Sequence, residues 1–172
     1  MTNSSWYTIA KPTDPLNQGD LVFECQIIQP TTEATSEGQE LKGDAFEDDV
    51  IILSQSCDII QKKIDLVLVC PFYTLTELKK NHTEYNDPNL CEKIRQGHVI
   101  GYHLLNKLQD QQDYLIVDFK NVYAVPLDFL STLAKIKNNR PRLLSPYREN
   151  LSQSFARFIM RVGLPEDIPR FN

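Results

Sequence analysis

Asp49-Val50-Ile51-Ile52-Leu53-Ser54-Gln55-Ser56-Cys57-Asp58, followed closely by Leu66-Val67-Leu68-Val69-Cys70-Pro71, decides the fold. Each stretch holds an apolar run of strand length rich in β-branched residues, which reads as a buried strand. Between them lies a short insert carrying two hydroxyls, an amide, a thiol and a carboxylate. Polar groups at the mouth of a buried strand cost free energy unless they are hydrogen-bonded or used. The insert from Ser54 to Asp58 is therefore the first place to look for a site.

Upstream, Gly19-Asp20 is a turn signal and Leu21-Val22-Phe23-Glu24-Cys25-Gln26-Ile27-Ile28 reads as a strand. Residues 1–18, with Pro12 and Pro15, read as an extended arm, and residues 30–48, rich in Thr, Glu and Gly, as a long mobile acidic loop. Downstream, residues 74–97 suit one or two short helices, because Leu75, Leu78, Leu90 and Ile94 are helically spaced around an Asn86-Asp87-Pro88-Asn89 break. Three short strands follow at 98–105, 114–119 and 121–125, then a short helix from Leu127 to Ile136.

The last element carries the clearest punctuation. Ser145 reads as a helix cap, Pro146 fits the first helical position, and Gly163-Leu164-Pro165 is a stop. On that helix Tyr147, Leu151, Phe155, Phe158 and Val162 share one face, while Asn150, Gln153, Arg157 and Arg161 share another. The first face packs on the sheet and the second is a polar ridge. Strands without strand–helix alternation imply the α+β class, with a mainly antiparallel, SH3-like partly closed barrel, added short helices and a long C-terminal helix. The expected organisation is one domain over 1–172: the arm (1–18), a barrel (19–126) with its helical insert at about 74–97, and a helical part (127–172).

A chain of 172 residues can bury roughly 70% of its unfolded surface and needs no disulfide staples. Cysteines 25, 57, 70 and 91 are irregularly spaced and read as reduced thiols. No secretory leader and no run of 18 apolar residues is present, so the chain reads as cytoplasmic with no membrane partner. Charge is uneven: residues 1–118 hold 9 Lys/Arg against 19 Asp/Glu, and residues 119–163 hold 8 Lys/Arg against Asp128 and Glu149. Such asymmetry marks either an anionic partner or a basic segment docked on an acidic body.

Four chemistries compete at the insert. Cys57 is a candidate nucleophile, with Asp58 and Ser54 as candidate catalytic neighbours. A thiol needs a cation, a histidine or a helix N-terminus to activate it. Asp58 works the other way, by roughly 3 kcal/mol at about 6 Å and an effective dielectric near 20. Metal binding by Cys25, Cys57, Cys70, Cys91, His82, His98 and His103 lacks paired ligands at short spacing, so no metal or cofactor is expected. A structural reading has Ser54, Gln55, Ser56 and Asp58 building a tight turn, with Asp58 capping a helical turn over 59–63. In a recognition reading, Ser54, Gln55 and Ser56, aided by Arg148, Arg157 or Arg161, bind a phosphate or carboxylate partner.

Gly19-Asp20-Leu21-Val22, Val50-Ile51-Ile52-Leu53-Ser54 and Leu66-Val67-Leu68-Val69-Cys70-Pro71 together resemble the core of PemK/MazF-type growth inhibitors. The resemblance covers about 55 residues and implies an SH3-like barrel, often homodimeric, with metal-free cleavage of single-stranded RNA. Thr74 stands where that family places a hydroxyl after its Pro-ended strand. Where the family has an Arg-Pro pair this chain has Glu47-Asp48-Asp49-Val50, so the arginine that stabilises a cleaving phosphate has no counterpart. The block from Ser145 to Pro165 resembles uncharacterised bacterial proteins. The expectation is a cytosolic binding or regulatory module for a protein or other anionic partner. The alternatives are a toxin-like endoribonuclease or RNA binder, and a cysteine-dependent enzyme centred on Cys57.

Overall fold

The computed structural model describes residues 5–31, 42–108 and 111–160. Its strands are β1 (Tyr7–Ala10), β2 (Leu21–Pro30), β3 (Gly43–Ile52), β4 (Leu66–Thr74), β5 (Tyr102–Leu105), β6 (Leu115–Asp118), β7 (Tyr123–Pro126) and β8 (Arg140–Leu143). The helices are α1 (Ser56–Ile60), α2 (Leu75–Asn81), α3 (Pro88–Arg95), α4 (Leu127–Ile136) and α5 (Tyr147–Ile159), with a 3-10 turn at Thr83–Asn86. All strand pairs are antiparallel. The class is α+β.

The two apolar runs are neighbours, with Val50 opposite Pro71, Ile51 opposite Cys70 and Ile52 opposite Val69. Strand side chains alternate between faces, and where residues 50–52 pair with 69–71 both faces are covered. Val50, Ile52, Val67 and Val69 join Val125, Leu127 and Leu130 in a core beneath α4. Ile51, Cys70 and Phe72 join Phe119, Leu143 and Leu151 in a second core beneath β8 and α5. Continuous apolar runs, rather than alternating ones, follow from that double coverage. A third cluster, built on Leu78, Ile94, Tyr102 and Ile116, seats α2 and α3.

β4 pairs β7 along its first half and β6 along its second. Val69 is opposite both Ile52 and Tyr123, so β3 and β7 lie on opposite sides of β4. The expected barrel is not closed, because β2 and β7 end the curved sheet without pairing to each other. A bulge between Val22 and Cys25, with Glu24 at φ 51°, bends β2.

Several expected boundaries change. The segment assigned to an acidic loop supplies the first six residues of β3, Gly43 to Asp48, which run alongside β2. Acidic residues tolerate this position because the outer part of the β2–β3 hairpin projects beyond β4 and needs no second apolar neighbour. Residues 32–41 lie outside the described residues. The N-terminal arm is partly a strand, since β1 pairs with β8. β8 is hard to read from sequence because Arg-Pro-Arg looks like loop; in a two-stranded sheet Pro141 loses no bond on its unpaired side.

α5 keeps the expected apolar face: Leu151 is fully buried, and Tyr147, Phe155 and Phe158 pack on the second core. Ser145 does not cap it. Pro146 occupies the boundary position, and the amides of Tyr147 and Arg148 donate to the carbonyl of Leu144 at 2.9 and 3.1 Å. The described helix ends at Ile159; Arg161, Val162 and the Gly163-Leu164-Pro165 stop lie outside the described residues.

Candidate functional site: a polar lip between α1 and α5

β3 delivers the chain to the top of the sheet, and the Ser-Gln-Ser-Cys-Asp insert turns immediately into α1. Ser54 Oγ accepts from the backbone amide of Leu68 at 2.8 Å, tying the insert to β4. Ser56 Oγ accepts from the amide of Gln18 at 3.0 Å, and the buried Gln18 side chain donates to the carbonyl of Leu53 at 2.7 Å. The Gln55 carbonyl accepts from Asp58 and Ile59, closing the first turn of α1. The turn reading of these residues is thus the one the hydrogen bonds support. One detail differs: Asp58 lies within the first turn of α1 and is not its cap, a boundary that Gln55 occupies.

Facing the insert is the first half of α5. The Gln55 amide donates to Ser152 Oγ at 3.3 Å, forming a ridge with a depression on each side. On one side is a cleft of about 430 Å³ whose walls include Gln18, Ser56, Cys57, Arg148 and Gln153. Arg148, a predicted binding residue, lines the same cleft as Gln55 and Ser56. Its guanidinium is held by the neighbouring Glu149 carboxylate at 2.6 Å, so the cleft does not present an uncompensated cation. That contact also holds the Glu149 carboxyl below its usual range. Arg157 stands apart, exposed, near Gly97 and His103.

Cys57 is an exposed free thiol whose hydrogen-bond partner is Asp58 Oδ1 at 3.7 Å. No histidine is in the cleft wall among the described residues. Cys25 and Cys70 are buried in the cores; burial, assisted by Asp48, pushes the Cys25 thiol up to about 11. Among the described residues no group of three or more His, Cys, Asp or Glu is arranged to hold a metal ion.

On the other side of the ridge is a groove of about 490 Å³ between β4 and the end of α5. Residues 66, 68, 70 and 72 share one face of β4. α5 covers that face over Cys70 and Phe72 but leaves its lower part open. Leu66 and Leu68, read from sequence as buried, are consequently 53% and 39% exposed, beside Ile159 and Met160 at 62% and 73%. Ser54, Gln55 and Asp58 form the polar border. The sequence reading missed this apolar surface, because a run of strand length does not reveal where its covering helix stops.

The position matching the growth-inhibitor arginine lies elsewhere, in a depression holding Glu24, Glu47, Asp48, Asp49 and Glu77. Burial pushes the Asp48 and Asp49 carboxyls up, and a neighbouring carboxylate adds to it: Asp49 beside Asp48, and Glu24 beside Asp49. Thr74 is occupied locally as well. Its hydroxyl accepts from the Glu77 amide while the Glu77 carboxylate accepts from the Thr74 amide, a reciprocal cap on α2.

Among the described residues no helix is long and apolar enough to cross a membrane. No protein-family model matches the chain, and no curated protein compared with it does either.

Proposed function

We propose that the chain is a binding module that docks a protein partner at the lip between α1 and α5, seating an apolar side chain of that partner in the groove beside β4. The observation that carries this reading is the contiguous apolar surface of Leu66, Leu68, Ile159 and Met160, bordered by Ser54, Gln55 and Asp58. Exposed apolar patches with polar rims mark interaction surfaces. Binding is favoured over chemistry because the Ser54 and Ser56 hydroxyls already accept from backbone amides, and Cys57 is next to a carboxylate with no histidine among the described residues lining its cleft. An RNA-cleaving reading draws less support, since the depression that would take the phosphate is lined by carboxylates.

The test is affinity capture from the native host with the wild-type chain and with Leu68→Glu and Ile159→Glu, both folded by circular dichroism. A specific partner, identified by mass spectrometry, should be retained by the wild type and lost at least about tenfold with either variant, a loss of about 1.4 kcal/mol or more. Equal retention by all three removes the lip from consideration. Turnover of any substrate that disappears in Cys57→Ala would restore the enzymatic alternative.

A further inference from the structure

The open seam of the sheet has its own chemistry, and its lining shares no residue with the α1–α5 lip. β2 and β7 are the outer strands of the β2-β3-β4-β7 sheet, and among the described residues neither has a second strand neighbour. Curvature brings both to one groove of about 790 Å³. Ile27 and Val125 of the first core and the partly buried Phe46 and Tyr123 are in its wall, the two rings meeting edge to face at 5.8 Å. Phe129 of α4 also lines it, and Ile28, 78% exposed, stands at its rim.

Unpaired strands normally carry charge, a kink or a cover that discourages pairing. Gln26-Ile27-Ile28-Gln29 and Val122-Tyr123-Ala124-Val125 carry no charge at all. Each presents backbone amides and carbonyls that an extended chain satisfies and a helix, already bonded to itself, does not. We propose that this groove is a strand-acceptor site. Its occupant is an extended peptide segment of a protein partner, with apolar side chains at alternate positions and a lysine or arginine among the others. Alternate side chains fill the apolar wall, as strand periodicity demands. The basic residue answers Glu47, the one charged side chain among the described residues lining the groove. Glu47 continues into Asp48 and Asp49, and with Glu24 these carboxylates outnumber Lys137, the cation that interacts with Glu24, Glu47 and Asp49.

The experiment pans a displayed library of random peptides against the full chain, with Glu47→Lys as the counter-target; Glu47 is exposed on a hairpin, so the variant keeps the core. Selected peptides should alternate apolar residues and carry Lys or Arg. Synthesised, they should lose affinity at least about tenfold on Glu47→Lys, on Ile28→Lys, and when alternate peptide amides are N-methylated. Hydrogen exchange should slow at residues 26–29 and 123–126 on binding. The proposal is overturned if no peptide is enriched over the counter-target, or if enriched peptides tolerate N-methylation. It also falls if the wild-type chain sediments as a dimer that Ile28→Lys dissociates, because a second copy then fills the seam. Loss of partner capture by Ile159→Glu, on α5 and outside the lining of the seam groove, bears on the lip alone and leaves this result independent.

Discussion

At the scale of single residues, the largest electrostatic commitment is Asp20. It is fully buried and accepts from Arg140 Nε at 2.6 Å and from Arg142 Nε and a terminal nitrogen at 2.5 and 2.9 Å. Arg140 also donates to the carbonyls of Lys11, Asp14 and Pro15, so one guanidinium ties the arm to β8. Gly19, at φ 80°, lets the chain pass against Leu143, where a Cβ would sit 3.0 Å from the Leu143 Cβ. Removing one partner of a buried pair strands the other's charge. Asp20→Ala should therefore cost about 3–5 kcal/mol in urea unfolding. Arg142→Ala should cost less than Arg140→Ala, the two side chains being 15% and 4% exposed; equal costs would show that the carbonyl bonds of Arg140 contribute little. His103 supplies a pH-dependent counterpart. Burial first, and the nearby Arg157 second, push its imidazole down to about 4. The unfolded chain binds that proton near pH 6.5, so the contribution is complete above about 6.5 and is lost as pH falls toward 4. The full loss is on the order of 3 kcal/mol. His103→Gln should flatten the stability profile between about pH 7 and 5 relative to wild type. Arg157→Gln should raise the His103 titration midpoint seen by NMR.

At the scale of elements, Thr74 shows how a local signal outlasts a family expectation. Thr74-Leu75-Thr76-Glu77 is a capping box, and the structure uses it as one. Thr74→Ala should cost about 1 kcal/mol in thermal or urea unfolding. A loss of RNA cleavage at unchanged stability would instead give the hydroxyl a catalytic role. The elements legible in the sequence are those whose signals are local. Helix α4 spans the residues its pattern indicated, α5 keeps the buried face drawn by Leu151 and Phe155, and the adjacency of β3 and β4 follows from their apolar runs. What escaped reading depends on distant partners. β1 and β8 are strands because each is the other's neighbour across a long stretch of chain, and neither carries an apolar alternation of its own. The candidate site divides in the same way. Its turn chemistry was legible in Ser54, Gln55 and Ser56. The approach of Arg148 and Ser152 required the docking of α5, and the groove beside Leu66 and Leu68 required knowing where α5 ends.

At the scale of the whole molecule, the uneven charge resolves partly inward. Arg140 and Arg142 meet Asp20, Lys137 meets Glu24, and Arg148 meets Glu149, so half of the eight cations of the basic segment pair with carboxylates of their own chain. The Asp20–Arg140–Arg142 clamp joins the N-terminal arm and β8 to the sheet, and it shares a core with the sheet. The cluster containing Ile51 and Cys70 from the central strands also contains Leu143 of β8 and Leu151 of α5. Trp6 lies against it, stacked on Tyr147 of α5 with ring centroids 3.8 Å apart. Because the chain has one tryptophan, its fluorescence reports the N-terminal arm and α5 together. If the shared core makes the clamp and the sheet one cooperative unit, the tryptophan transition in urea must coincide with the far-UV circular dichroism transition. We expect superimposable curves for the wild type. Asp20→Ala should move both midpoints down together, since the buried charges it strands lie at the junction of arm, sheet and β8. A tryptophan transition at lower urea than the circular dichroism transition would mean that arm and helix come away first, leaving a folded sheet behind. The α1–α5 lip would then be a surface that opens, and its affinity for a partner would depend on how often it is assembled.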